Sequence, residues 1–269
     1  MNFDLQQATA RLRTLRSSLL ANYNEEDLHQ LRVTLRRMRS VLRGIPGGKE
    51  KKLRRRLGAL AHTTNDARDW DTLYASAREQ LREAQFNELE PLLHAQRESA
   101  RAQVYRMFHA KQWLATLRRW DALADKTELD AASLCMRRAG LKKRLKRATA
   151  ASHKAMAKDD NKRWHKLRLA IKELRYALDT GPEGMPASGR PELLQECKTL
   201  QTLLGDWHDT VVHRELLDTL AGDASLDPAR PAGKAASAFQ QILANNGRRS
   251  LEQIKERLQQ GVLGTEKPG

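Results

Sequence analysis

The sequence predicts an all-α fold, on three observations. Leu, Ala, Arg, Lys, Glu and Gln dominate the 269-residue chain, and all are good helix formers. Its 15 glycines and 8 prolines mostly gather in four places. Between those places apolar residues recur at helical spacing, and no segment alternates at period two between turn signals, so no sheet is expected.

Taken in order, the first predicted helices cover about 4–21 and 26–43 and end at Gly44-Ile45-Pro46-Gly47-Gly48. Helices at about 49–65, 67–82, 87–120, 130–158 and 162–179 follow, up to a break from Gly181 to Pro191 that holds three glycines and three prolines. Two more are predicted at about 191–204 and 206–221, parted at Gly205. A last helix at about 234–260 lies between the Gly222–Gly233 break and a tail, 262–269, that reads as frayed. Hydrophobic residues make up 40% and charged residues 30%, which fits a packed core beneath a heavily charged surface and excludes a disordered chain.

The chain repeats itself. Leu28-His29-Gln30-Leu31-Arg32-Val33-Thr34-Leu35-Arg36-Arg37-Met38-Arg39 matches Trp164-His165-Lys166-Leu167-Arg168-Leu169-Ala170-Ile171-Lys172-Glu173-Leu174-Arg175, an offset of 165 − 29 = 136. A weaker match pairs Asn65-Asp66-Ala67-Arg68-Asp69 with Gly205-Asp206-Trp207-His208-Asp209, at 209 − 69 = 140. Such a period is far too long for a solenoid and points to two halves of similar plan. The expected organisation is a single domain, 1–269, with halves at about 1–135 and 136–261 related by a pseudo-twofold axis across a basic groove or channel.

Within the first copy His29, Arg32, Arg36, Arg39 and Arg43 are spaced 3, 4, 3 and 4, which puts them on one helix face. That row is about 21 Å long at 1.5 Å per residue. Leu28, Leu31, Leu35, Met38 and Leu42 form an apolar stripe one residue earlier, about 100° around the helix. The second copy has His165, Arg168, Lys172 and Arg175 beside Trp164, Leu167, Ile171, Leu174 and Leu178. It is less positive, because Asp179 stands at the place of Arg43 and Glu173 at that of Arg37. A basic face on one amphipathic helix is ordinarily only a solvated face. Here it recurs in both halves, and neither row contains an acid among its own members at i+3 or i+4 to neutralise it. Arginine predominates, and its planar fork suits phosphate oxygens. With a net charge of +16, the partner class is a polyanion: nucleic acid, polyphosphate or an anionic surface. Arg37, Arg55, Lys143 and Arg147 are candidates for additional basic contacts.

The repeated His-x-x-Arg-x-x-x-Arg/Lys-x-x-Arg pattern resembles the CHAD family, the conserved-histidine α-helical domain. Each copy is followed by an Asp-containing segment: Arg68-Asp69-Trp70-Asp71 in the first half, and Leu204-Gly205 before Asp209 in the second. The resemblance covers nearly the whole chain. It implies a helical bundle with internal pseudosymmetry that binds inorganic polyphosphate in a basic channel. It places the binding residues at His29, Arg32, Arg36, Arg39, His165, Arg168, Lys172 and Arg175. Members are often fused to a CYTH triphosphate-tunnel domain, for whose β-barrel this all-helical sequence leaves no room.

Rival constellations are weaker. Asp69 and Asp209 are read as structural or arginine-orienting groups, since buried carboxylates would oppose a polyanion. His62, Asp66 and Asp69 share a helical face, but the other half offers Thr202, Asp206 and Asp209, so no metal site and no cofactor is expected. No Walker loop, zinc spacing or nucleophile elbow is present, which speaks against an enzyme. Trp113, Trp120 and Trp164 fall at packing positions, and no exposed row of rings is foreseen on which bases would stack. The expectation is non-catalytic polyphosphate binding, with nucleic acid a weaker partner. The alternatives are a nucleic-acid-binding helical protein and a metal-dependent phosphohydrolase. Two cysteines are too few for a disulfide framework, and no apolar run reaches the roughly 20 residues that cross a bilayer. Neither a secretory signal nor membrane insertion is therefore expected, and the expected location is the cytoplasm, with polyphosphate granules one place of use.

Overall fold

A computed structural model describes residues 6–42, 47–124, 129–179, 190–220, 226–261 and 263. These residues form ten helices and no strand: α1 (Ala8–Ala21), α2 (Glu25–Val41), α3 (Gly48–Thr63), α4 (Asn65–Gln80), α5 (Glu83–His109), α6 (Lys111–Ala124), α7 (Leu129–Ala157), α8 (Asn161–Asp179), α9 (Arg190–Thr219) and α10 (Pro231–Gln260). The all-α expectation holds. No helix among the described residues is long and apolar enough to cross a membrane.

Two expected elements differ. The helix foreseen at 87–120 is two helices, α5 and α6, parted at Ala110, whose backbone is extended (φ −68°, ψ 136°). The break has no glycine or proline to announce it. Its reason is packing: Phe108 and Trp113 are both buried and meet edge to face at 5.1 Å between centroids. Five residues apart on an unbroken helix, they would diverge by about 140°. Conversely, the helices foreseen at 191–204 and 206–221 are one, α9, running straight through Gly205. A glycine inside a helix costs about 1 kcal/mol relative to alanine. Burial of Leu200, Leu204 and Trp207 around it offsets that cost.

The chain divides into two compact units, Met1–Ser133 with Asp227–Ala235, and Leu134–Leu226 with Ala236–Gly269. In the first, α2 buries Leu28, Leu31, Leu35, Met38 and Leu42, all at most 1% exposed, against α1 and α3. In the second, α8 buries Trp164, Leu167, Ile171, Leu174 and Leu178 in a core shared with Leu200, Leu204, Ile254 and Leu258. Both apolar stripes foreseen in the sequence are thus core, and so are Trp113 and Trp120. Leu263, which falls within the expected frayed tail, is buried in the second core; residues 262 and 264–269 lie outside the described set.

The repeat extends to the helix starts. Asn24 caps α2, its side-chain oxygen accepting from the Asp27 backbone N–H at 2.7 Å. Asp160 does the same for α8, its Oδ1 accepting from the Arg163 N–H at 2.8 Å. The offset is again 160 − 24 = 136. Such a cap is worth about 1 kcal/mol, and here it fixes where each basic row begins.

Candidate polyanion-binding site

Each basic row stands beside its apolar stripe. With the stripes locked into their cores, His29, Arg32, Arg36 and Arg39 on α2 are held partly exposed, as are His165, Arg168, Lys172 and Arg175 on α8. Arg43 lies outside the described residues.

In the first unit the row looks onto α3 and α4. The Arg32 guanidinium donates through Nη1 to Thr64 Oγ1 at 2.8 Å and Asn65 Oδ1 at 2.9 Å, at the α3–α4 junction. Arg39 lies over Gly58 of α3, its Cζ 3.5 Å from where a Cβ would stand, which is ordinary contact distance. Burial lowers the Arg32 pKa; Asp69 raises it, and Arg36 and Arg68 lower it. After burial, Asp69 is the charge that acts most on this arginine, against the two neighbouring cations. His29 is held below its ordinary value by burial first and then by Arg68, with Arg36 and Arg32 adding to Arg68 against Glu26.

In the second unit the row faces α9. The His165 and His208 rings lie 5.2 Å apart between centroids, tilted by 52°. Burial, and then Arg168, lowers the His165 pKa. His208 is pushed down to about 4 by burial, then by Arg168, His165 and Lys172. At neutral pH these imidazoles are uncharged donors or acceptors among cations.

The additional candidates separate. Arg55 and Lys143 are exposed, as is Arg37 beside the first row. Arg147 pairs with Glu173, Nη1 to Oε2 at 3.1 Å, so the acid that stands at the place of Arg37 engages α7. Asp209 is exposed. His62 bonds to Asn65 at 3.0 Å, and among the described residues no group of three or more His, Cys, Asp or Glu side chains gathers to hold a metal ion.

Arg68 and His208 were missed as site residues. The signal was present: the offset of 140 aligns them with each other, Arg68 lowers the pKa of the His29 that heads its row, and the His208 ring lies against that of His165. Also missed was a buried network in the first unit. Asp71, 0% exposed, accepts from Tyr23 Oη at 2.6 Å, Arg97 Nε at 3.0 Å and Arg101 Nη2 at 3.1 Å. Arg97 continues through Nη2 to Glu25, in the first turn of α2, at 2.7 Å. Arg97 and Arg101 also stack on Tyr74 and Tyr23, at 4.0 and 4.1 Å from the ring centroids. This network ties α5 and α4 to the helix that carries the row. Val211 stands at the place equivalent to Asp71 in the second half, so the sequence repeat does not announce it.

A sequence model of the CHAD domain matches residues 4–218. The chain belongs to the CHAD domain family. No curated protein matches its sequence. Among solved structures, this CHAD domain is similar to the crystal structure of the CHAD domain from the plant Ricinus communis, at a TM-score of 0.74 and 21% identity over 98% of this chain and 90% of that one. It is also similar to PptA from Streptomyces chartreusis, at a TM-score of 0.69 and 17% identity over 95% and 96% of the two chains. At these identities the likeness is one of fold.

Proposed function

We propose that this CHAD domain binds inorganic polyphosphate without catalysing its turnover, through the two basic rows. The observation that carries this reading is the convergence of like charge in both units. In one, burial lowers the Arg32 pKa and Arg36 and Arg68 add to it against Asp69; in the other, burial lowers that of His208 and Arg168, His165 and Lys172 add to it. Cations held close enough to disfavour one another's protonated forms are stabilised when a ligand brings negative charge. Arginine forks grip phosphate oxygens in pairs and lysine adds a point charge. A polymer of identical phosphates needs no sequence reading, so a row of cations at helical spacing suffices. Trp70, Trp113, Trp120, Trp164 and Trp207 are all buried, which leaves no tryptophan platform for nucleobases and favours polyphosphate over single-stranded nucleic acid.

The test is a titration with polyphosphate of defined length, with duplex DNA and triphosphate as comparators. Long-chain polyphosphate should bind most tightly and displace DNA, and the reverse displacement should be much weaker. Tighter binding of DNA would replace this reading with the nucleic-acid one. Release of phosphate on addition of a divalent metal would make the protein a hydrolase.

A further inference from the structure

We propose that His208 is a phosphate-binding residue of the second unit and that, with His165, it forms a two-histidine subsite which takes up a proton as the polyanion binds. This rests on the reading above and adds a residue and a regulation to it.

Three observations converge. The first is the ring pair itself, 5.2 Å between centroids, with Arg168 and Lys172 acting on it. The charged groups that act on His208 are Arg168, His165 and Lys172, all of α8, and its own helix contributes the Trp207 ring at 6.3 Å. An anion is the ligand that such surroundings favour. The second is room. Gly205 precedes His208 by three residues on the same face of α9, and nothing lies within 4 Å of where its Cβ would stand. The equivalent residue in the first unit, 205 − 140 = 65, is Asn65, whose Oδ1 accepts from Arg32. In the second unit that place carries no side chain, and a phosphate oxygen can stand where the asparagine oxygen stands in the first. The third is Gln201, four residues before Gly205 on that face, whose buried Oε1 has no hydrogen-bond partner. Its amide, turned over, carries an N–H in the place of that unpartnered oxygen.

The equivalent of His208 in the first unit is Arg68, which is always charged. The two halves therefore differ in kind: one offers permanent charge at this position and the other a group that gains charge with the ligand. Burial and neighbouring cations hold His208 neutral in the empty protein, at about 4. A bound phosphate raises that value, so the complex holds more protons than the free protein, and affinity increases as pH falls through the raised value. Each coupled proton strengthens binding by about tenfold per pH unit across that window.

The experiment uses the full chain and long-chain polyphosphate, whose internal phosphates stay ionised throughout. Calorimetry at pH 6 in two buffers of different ionisation heat counts the protons taken up, and Kd is measured at pH 8 and pH 5.5. His208→Gln should lower proton uptake and flatten the change in Kd between pH 8 and pH 5.5. His208→Arg, which installs the first unit's residue, should show the same loss of uptake with binding at pH 8 at least as tight as wild type. Gly205→Asn should weaken binding at both pH values by filling the space. Circular dichroism confirms that each variant keeps its helix content. Equal proton counts in wild type, His208→Gln and His208→Arg would overturn the inference, while binding at pH 8 through the arginines would leave the functional reading standing. No binding at either pH would overturn both.

Discussion

Reversing one cation at the centre of each row, Arg36→Glu with Lys172→Glu, gives the sharpest test of the rows, and its size follows from the site. At pH 8 the histidines are uncharged, because burial and neighbouring arginines hold His29 and His165 below their ordinary value. The permanent charges left are Arg32, Arg36, Arg39 and Arg68 in the first unit and Arg168, Lys172 and Arg175 in the second. If all are neutralised by phosphates, log affinity should fall against log salt with a slope of about −5, taking roughly −0.7 per contact as for a single-stranded polyanion. Affinity should then drop roughly 10³-fold between 50 and 200 mM salt. Removing two contacts should reduce the slope to about −3.5 and the drop to roughly 10²-fold. Each charge-assisted contact is worth about 1.5–3 kcal/mol, so the variant should also bind roughly 10²- to 10⁴-fold more weakly at low salt. Fluorescence anisotropy with labelled polyphosphate across a salt series reads both quantities. The control is Arg248→Glu with Arg249→Glu, exposed residues of α10 outside the repeats. An equal loss of affinity and of slope in the control would refute the rows as the site and reduce binding to net charge.

Three further outcomes are expected. Asp71→Asn leaves the Arg97 and Arg101 guanidinium groups without their buried carboxylate and should destabilise the fold by about 3–5 kcal/mol in urea unfolding; a change under about 1 kcal/mol would show that the network contributes little. His213 is buried, and burial pushes its pKa down to about 4. Its neutral form contributes stability that is fully present above the unfolded value near 6.5 and is lost as pH falls from there toward 4, at about 1.4 kcal/mol per unit; His213→Leu should flatten that part of the stability profile, and an unchanged profile would assign the acid sensitivity elsewhere. Replacing His29 and His165 together with Gln should lower the slope of log affinity against pH between 7 and 5.5 by up to about two, one per proton; the same curve in wild type and variant would mean that these histidines only position their neighbours.

How far the sequence could be read depended on whether the information lay within one helix or between several. The apolar and basic rows of α2 and α8 are intrahelical patterns, and the burial of Leu28 to Leu42 and of Trp164 to Leu178 follows from spacing alone. What lay between helices was not legible in the same way. The Ala110 break exists so that Phe108 and Trp113 can meet, and neither residue alone signals it. Gly205 reads as a stop, yet the helix passes through it because the residues around it are buried. The Asp71 network joins residues 23, 25, 71, 97 and 101, which no periodicity connects.

The departures from the repeat follow one physical logic. Where the first half has Asn65 and Arg68, the second has Gly205 and His208; where the first has Arg37, the second has Glu173, paired with Arg147. Each change lowers the fixed positive charge of the second row or removes a side chain from beside it. At the aligned position the first unit holds a fixed charge, Arg68, and the second a titratable group, His208. On that logic His208→Arg should make the affinity of the whole protein less sensitive to pH, whereas Arg68→His should make it more so. A pair of variants that shift in the same direction would show that the two positions are not functional equivalents.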